Sequence, residues 1–134
     1  MIVVDTNIIA YLFLASDRSL HGERVFQKDP AWLAPLLWRS EFRNVLALYL
    51  RKGLIPLADA QEIMDQAARF MQDREFEVQS NQVLNFVASS TCSAYDCEFV
   101  ALAADLKLPL VTTDQQILEQ FPEIAVSLEA FLAQ

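Results

Sequence analysis

The sequence predicts an α/β fold: a parallel sheet covered by helices on both faces. Three observations predict it. Short apolar runs of strand length alternate along the chain with longer stretches of helical periodicity. No tight hairpin signal joins neighbouring strands, so parallel strands with crossover connections are expected. The 134 residues are 54% hydrophobic and carry no Pro-, Gly- or Ser-rich linker, which bounds the chain to a single domain, 1–134.

IVV at 2–4 reads as a buried strand, with Asp5-Thr6-Asn7 behind it as a helix-start signal. The helix so begun runs to about Leu14, and a second covers roughly 20–27. AWLA at 31–34 is the second strand, closed by Pro35. Residues 36–52 form a long helical pattern stopped at Gly53. Another helix spans 57–73, EFEV at 75–78 alternates as a strand, and 81–89 is helical. A helix at 96–106, a strand at 110–112 and a short helix at 115–121 follow. AVS at 125–127 makes a last short strand before a terminal helix.

Composition excludes several chemistries. Gly22 and Gly53 are the only glycines, too few for a phosphate loop or a dinucleotide fingerprint. A single histidine, His21, comes without a nucleophile turn of the GxSxG type. Cys92 and Cys97 lack the number and spacing of a zinc site or a disulfide framework and read as reduced, small hydrophobes. The apolar run 8–15 is preceded by Asp5 rather than by basic residues, so it reads as core rather than a targeting signal. The remaining apolar runs are far too short for a membrane span. A cytoplasmic protein is expected. Residues 1–74 hold 9 Lys/Arg and 9 Asp/Glu, whereas 75–134 hold Lys107 against 9 acids, which accounts for the net charge of −8. That balance argues against strong nonspecific nucleic-acid binding.

Four acids do not fit a solvated surface. Asp5 and Asp114 each follow a strand and precede a helix; taken alone, each reads first as an N-cap. Glu41 projects between Leu48 and Val45 on the wheel of its helix, inside the apolar arc, while Arg39 and Arg43 point to the opposite side. A carboxylate buried there needs a partner or a shifted pKa. Asp96 shares a face with Phe99, Val100 and Ala103, whereas Glu98 and Asp105 fall on the polar face. From Asp96 a helix of about 11 residues travels roughly 16 Å, and a strand of 4 to 5 residues returns about 15 Å. Asp114 therefore lands level with Asp96. All four acids gather at the carboxyl edge of the sheet, where open parallel sheets bind ligands. Two carboxylates about 4 Å apart repel by about 4 kcal/mol at an effective dielectric near 20. A hard divalent cation, Mg²⁺ or Mn²⁺, removes that cost and points to phosphoryl-transfer chemistry.

These residues also carry a resemblance. VVDTNII, WRSEFRNVLALYLRKG, YDCEFVALAADLKLPLVTTD and IAVSLEAFL together resemble the PIN-domain ribonucleases, above all the VapC-type toxins of prokaryotic toxin–antitoxin pairs. The likeness covers essentially the whole chain and is thinnest over 53–90. It implies a PIN-like α/β/α sandwich with a central parallel five-stranded sheet. It carries the family's acidic quartet onto Asp5, Glu41, Asp96 and Asp114, with Thr6, Asn7 and Thr112 as supporting residues. Glu98 stands where some relatives carry another acid and is set apart from the quartet. The implied activity is Mg²⁺- or Mn²⁺-dependent endoribonuclease cleavage of RNA. Asp5, Asp96 and Asp114 would bind metal, and Glu41 would position or deprotonate the attacking water. The implied partners are the RNA substrate, a small cognate antitoxin and a second copy in a homodimer. The alternative is a catalytically silent PIN-like binding module, which retention of all four acids disfavours. Another Mg²⁺-dependent phosphoryl-transfer domain, a receiver or a phosphatase, lacks its expected lysine or second acid here.

Overall fold

A computed structural model describes residues 1–134. Five strands form one sheet in the order β3-β2-β1-β4-β5, and every pairing is parallel. They are β1 (Ile2–Val4), β2 (Trp32–Pro35), β3 (Glu75–Phe76), β4 (Leu110–Thr112) and β5 (Ala125–Ser127). Eight helices complete the chain: α1 (Thr6–Phe13), α2 (Ser19–Lys28), α3 (Trp38–Arg51), α4 (Leu57–Phe70), α5 (Ser80–Ala88), α6 (Ala94–Leu106), α7 (Gln115–Gln120) and α8 (Leu128–Ala133). Helices α1 to α4 pack on one another, and α5 packs on α6. With this strand order the right-handed crossover rule puts α1 to α4 on one face of the sheet and α5 to α7 on the other. The expected α/β/α sandwich with a central parallel five-stranded sheet is the observed architecture.

The chain winds outward in both directions from the centre, so strand order reverses between β1 and β4. The β1–β4 register pairs Val3 with Leu110 and Val4 with Val111. Both strands are fully buried because helices cover both faces, which is why IVV and LVT show no alternation. Trp32, Trp38 and Phe42 are each 0% exposed and fill the space between the sheet and the α1–α4 layer. Phe70 packs edge-on against Trp32 and Phe13 at centroid distances of 5.5 and 5.6 Å. Gly22 lets α2 approach α1: a Cβ there would sit 2.7 Å from the backbone of Tyr11 and Leu12.

Several boundaries differ from the sequence reading for identifiable reasons. Pro35 belongs to β2 rather than closing it. Ala34 and Leu36 donate toward β3, so the proline nitrogen faces the β1 side, beyond the last registered pair, Val3 with Leu33. Helix α4 stops at Phe70, three residues early, because Asp73 adopts a left-handed conformation that turns the chain into β3. Strand β3 keeps only two residues, Glu75 and Phe76, at the sheet edge. Helix α6 starts at Ala94, two residues early, because Ser93 caps it by accepting from the Asp96 amide at 3.1 Å. Gly53 ends α3 as expected. At a φ of 69° it donates to Leu50 while Leu54 donates to Tyr49, the paired bonds of a Schellman cap.

The edge strand is pinned by charge. Glu75 accepts from the Trp38 indole N–H at 2.7 Å and from two guanidinium nitrogens of Arg39. The Arg39 hydrogen bond, joined by that of Trp38, holds the Glu75 carboxyl below its ordinary pKa despite opposing desolvation. A depressed folded-state pKa contributes stability above the ordinary carboxylate range, lost as pH falls through the folded value. Glu75→Gln is therefore expected to cost about 1 kcal/mol at neutral pH, a modest figure because Arg39 is half exposed. Chemical denaturation should show the difference closing as pH falls below the ordinary carboxylate range and through the lowered folded-state pKa of Glu75.

Candidate active site

Asp5 extends β1 by one residue into the point where strand order reverses. Its amide donates to the Val111 carbonyl at 3.2 Å, continuing the β1–β4 ladder, so its side chain lies beside Thr112. Oδ1 accepts from the Ile8 amide at 3.2 Å and caps α1. Oδ2 accepts from the Thr112 hydroxyl and from the Thr113 amide. The same Thr112 oxygen accepts from the Asp114 amide at 3.0 Å. Asp114 in turn caps α7 through Ile117 at 3.0 Å. The capping role and a place in the site thus hold together for both aspartates. Thr112 is 0% exposed and stands behind Asp5, linking it to Asp114.

Two further carboxylates come from other elements. Glu41, in the first turn of α3, accepts from the Thr6 hydroxyl at 2.7 Å. Asp96 occupies the first turn of α6, where free amides and the helix dipole favour an anion. Asp5, Glu41, Asp96 and Asp114, with Thr6 and Asn7, line one cavity of about 410 Å³. No lysine, arginine or histidine lines it, and none of the four acids takes part in an ion pair.

The wheel of α3 resolves into two faces. Trp38, Phe42 and Leu46 face the core, whereas Leu37, Glu41 and Val45 face the cavity; Leu48, expected in the apolar arc, is about half exposed. Glu41 is accordingly half-buried at the cavity wall rather than set within the core. Helix α6 is apolar nearly all round: Ala101 and Leu102 are buried along with Phe99, Val100 and Ala103. Its expected polar face holds only in part. Asp105 is exposed, but Glu98 is half-buried, and burial raises its pKa. Glu98 lines a neighbouring cavity, apart from the quartet.

Composition and wheels missed Ser40, Asn44 and Tyr95, which also line the acidic cavity. Ser40 and Asn44 lie one residue before and three after Glu41, so its helical neighbours carried the signal. His21 is half-buried with its Nδ1 unpartnered, and it does not line the acidic cavity. Cys92 and Cys97 are free and buried, as expected.

Burial raises the pKa of Asp5, opposed by hydrogen bonds from Thr112 and the Ile8, Thr113 and Asn7 amides. Burial also raises Glu41, opposed by Thr6 and reinforced by the charges of Asp96, Asp5 and Glu98. For Asp96, burial acts first and the Asp114 charge second, against the Ser93 hydrogen bond. Each feels a neighbour or an apolar wall as a reason to hold its proton. No group of three or more His, Cys, Asp or Glu side chains is gathered tightly enough to close around an ion unaided. The all-oxygen donor set fits Mg²⁺ or Mn²⁺, which bind through one or two carboxylates and complete their shells with water and substrate phosphate.

Residues 2–124 match the family model of the PIN domain. The chain is 26% identical to Ribonuclease VapC3 of Pyrobaculum aerophilum over 126 residues, covering 92% of this chain and 96% of that protein. Among solved structures it is similar to PAE2754 from Pyrobaculum aerophilum, with a TM-score of 0.76 and 20% identity over 98% of this chain and 92% of that one. It is also similar to a chain of a toxin–antitoxin complex from Klebsiella pneumoniae, with a TM-score of 0.65 and 15% identity over 96% and 98% of the two chains. At such identities the structural likenesses speak for the fold.

Two outcomes test the local physics. Thr112→Val removes the donor to buried Asp5 and the acceptor of the Asp114 amide, and should cost about 1–3 kcal/mol in urea denaturation. Thr112→Ser, which keeps the hydroxyl, should recover most of that loss. Asp96→Asn, in contrast, should melt in EDTA at neutral pH no lower than wild type. A raised folded-state pKa means the ionised carboxylate opposes folding above that value, and the penalty disappears below the unfolded value. The variant's advantage should therefore shrink as pH falls through the carboxylate range, as thermal melts in EDTA would record.

Proposed function

The chain belongs to the PIN-domain family, and from that premise we propose that it is a VapC-type endoribonuclease that hydrolyses RNA phosphodiester bonds with a bound Mg²⁺ or Mn²⁺. The observation that carries this reading is the meeting of four carboxylates from four separate segments in one cavity free of basic side chains. Helix capping accounts for Asp5 and Asp114 singly but not for the convergence of all four, since burial acts against ionised Asp5, Glu41 and Asp96.

In this reading Asp5, Asp96 and Asp114 would hold the ion, directly or through water, with Glu41 lining the same cavity. When bound, the ion would supply stabilisation of the negative charge that grows on the phosphate during attack. Glu41 takes the proton from the attacking water. Its raised pKa brings it nearer the pH at which a base both accepts and releases protons, and Thr6 fixes its Oε1. Thr112 and the Ile8 amide fix the orientation of the Asp5 carboxylate. Asn7, exposed at the cavity, supplies an amide within the same wall.

The reading also includes a small cognate antitoxin, a homodimer and a cytoplasmic setting, drawn from likeness to the toxin family. No helix is long and apolar enough to cross a membrane.

Incubation with a mixed RNA pool tests the proposal. Internal cleavage is expected with Mg²⁺ or Mn²⁺ and none in EDTA. Glu41→Gln should slow single-turnover cleavage by about 10²-fold or more, the usual contribution of a positioned base. Mn²⁺ affinity should change less than turnover. Intact RNA in every metal condition would overturn the assignment. Unchanged cleavage together with unchanged metal affinity would remove Glu41 from the site.

A further inference from the structure

Beside the acidic cavity lies a second one of about 560 Å³, within the size range of small-molecule sites. Its walls are apolar: Leu36 after β2, Phe76 of β3, and Val83 and Leu84 of α5. Leu36 and Leu84 remain 41% and 57% exposed, so the apolar wall is open to solvent. One residue lines both cavities. Tyr95, in the first turn of α6, is 64% exposed and stands between the carboxylates and the apolar wall. An aromatic ring left that open beside a polar cavity offers a face for stacking.

Charge narrows the occupant. The only ionisable carboxylates lining the second cavity are Glu77 and Glu98, and no basic residue lines it. A phosphate is therefore repelled from it. A neutral, flat ring with hydrogen-bond donors on its edge is accepted, because an ionised carboxylate can only accept. Continuity with the acidic cavity through Tyr95 puts such a ring one step from a phosphate held at the quartet.

We infer that this second cavity is a nucleobase subsite: it takes an unpaired base next to the cleaved phosphate, stacked on Tyr95, with Glu98 accepting from its amino group. The inference rests on the nuclease reading and adds two properties to it. Single-stranded substrate is preferred at that position, because a paired base must first lose its pairing and stacking energy before it can present its edge. Adenine, cytosine and guanine, which carry exocyclic amino groups, are preferred there over uracil, whose one edge donor, N3–H, is flanked by two carbonyl oxygens that the carboxylate repels. Glu98, set apart from the quartet by its position, thereby acts in specificity rather than in metal binding.

Two measurements test this, one of them independent of catalysis. In EDTA, adenosine, cytidine, guanosine and uridine, which carry no phosphate to be repelled, are titrated into the isotopically labelled protein and backbone amide shifts are followed. Shifts centred on Leu84, Tyr95 and Glu98, stronger for cytidine than for uridine, are expected; shifts absent there for all four nucleosides would overturn the subsite. In Mn²⁺, a single-stranded RNA library with randomised positions is cleaved and the ends are sequenced. Wild type should disfavour uracil at one position beside the cut, and Glu98→Gln, whose amide also donates, should relax that bias at this position alone. Tyr95→Ala should raise KM about tenfold, in line with loss of one stacked base, whereas Tyr95→Phe should stay close to wild type. A bias identical in wild type and Glu98→Gln, or equal cleavage of duplex and single strand, would overturn the inference with the nuclease reading intact. Nucleoside-induced shifts at Tyr95 without any RNA cleavage would instead sink the nuclease reading and leave the subsite. If the wall variants leave RNA cleavage unaltered but abolish binding of a partner protein, the groove is a protein-docking surface and the inference falls.

Discussion

The Thr112 hydroxyl, donating to the Asp5 carboxylate and accepting from the Asp114 amide, is the contact on which the site depends. It exists only because β1 and β4 are hydrogen-bonded neighbours with Val4 beside Val111. That pairing lies where strand order reverses, so the chains leaving β1 and β4 diverge to opposite faces of the sheet. A cavity opens between them. Asp5 and Asp114 then begin α1 and α7, and each satisfies helix amides that would otherwise lack partners. The carboxylates are consequently rigid before any ligand arrives. Capping and site placement are one arrangement of the same atoms.

The rest of the cavity is built by helices that carry two faces. Helix α3 anchors itself through Trp38 and Phe42 in the core while Leu37, Glu41 and Val45 look outward into the cavity. Helix α6 is buried at Cys97 and from Phe99 to Ala103, and its N-terminal half reaches the site with Tyr95, Asp96 and Phe99. The scaffold can therefore tolerate four mutually repelling carboxylates, since dense packing of the aromatic and aliphatic core lies immediately behind them. Local electrostatic strain and global stability are drawn from different layers of the same elements. The ion pair of Glu75 with Arg39 serves global stability, fastening the short edge strand β3 to the start of α3.

Two adjoining cavities of opposite character follow from this layout. One is polar, acidic and placed at the reversal of strand order; the other is apolar and lies over the β2–β3 edge and α5. A nucleotide has the same division, with a charged phosphate that needs a cation and a flat base that needs a dry surface. Tyr95 at the boundary belongs to both. A net charge of −8 is compatible with such a substrate when the phosphate is met by a bound ion rather than by lysines.

The order of strands and helices was legible in the sequence because doubly covered strands must be continuously apolar and amphipathic helices must be periodic; IVV, LVT and the pattern of 36–52 obey those rules. Asp5 and Asp114 were legible for the same reason, since a carboxylate directly after a buried strand has few places to go. The ends of elements were less so: Asp73 entering a left-handed turn and Ser93 capping α6 depend on how the chain must travel to the next strand. The wheel of α3 marked Glu41 as unusual, but periodicity reports only that a face is apolar, not whether it meets the core or a cavity. Glu98 shows the limit most clearly. Its position on a helix reads as solvated, and only the packing of α6 against α5 and the β2–β3 edge decides that it is half-buried in a second cavity. Sequence fixes which residues share a helix face or follow a strand, because those are short-range consequences of backbone geometry. Which faces meet is decided by long-range packing, and that is where the Thr112 link and the place of Glu98 were determined.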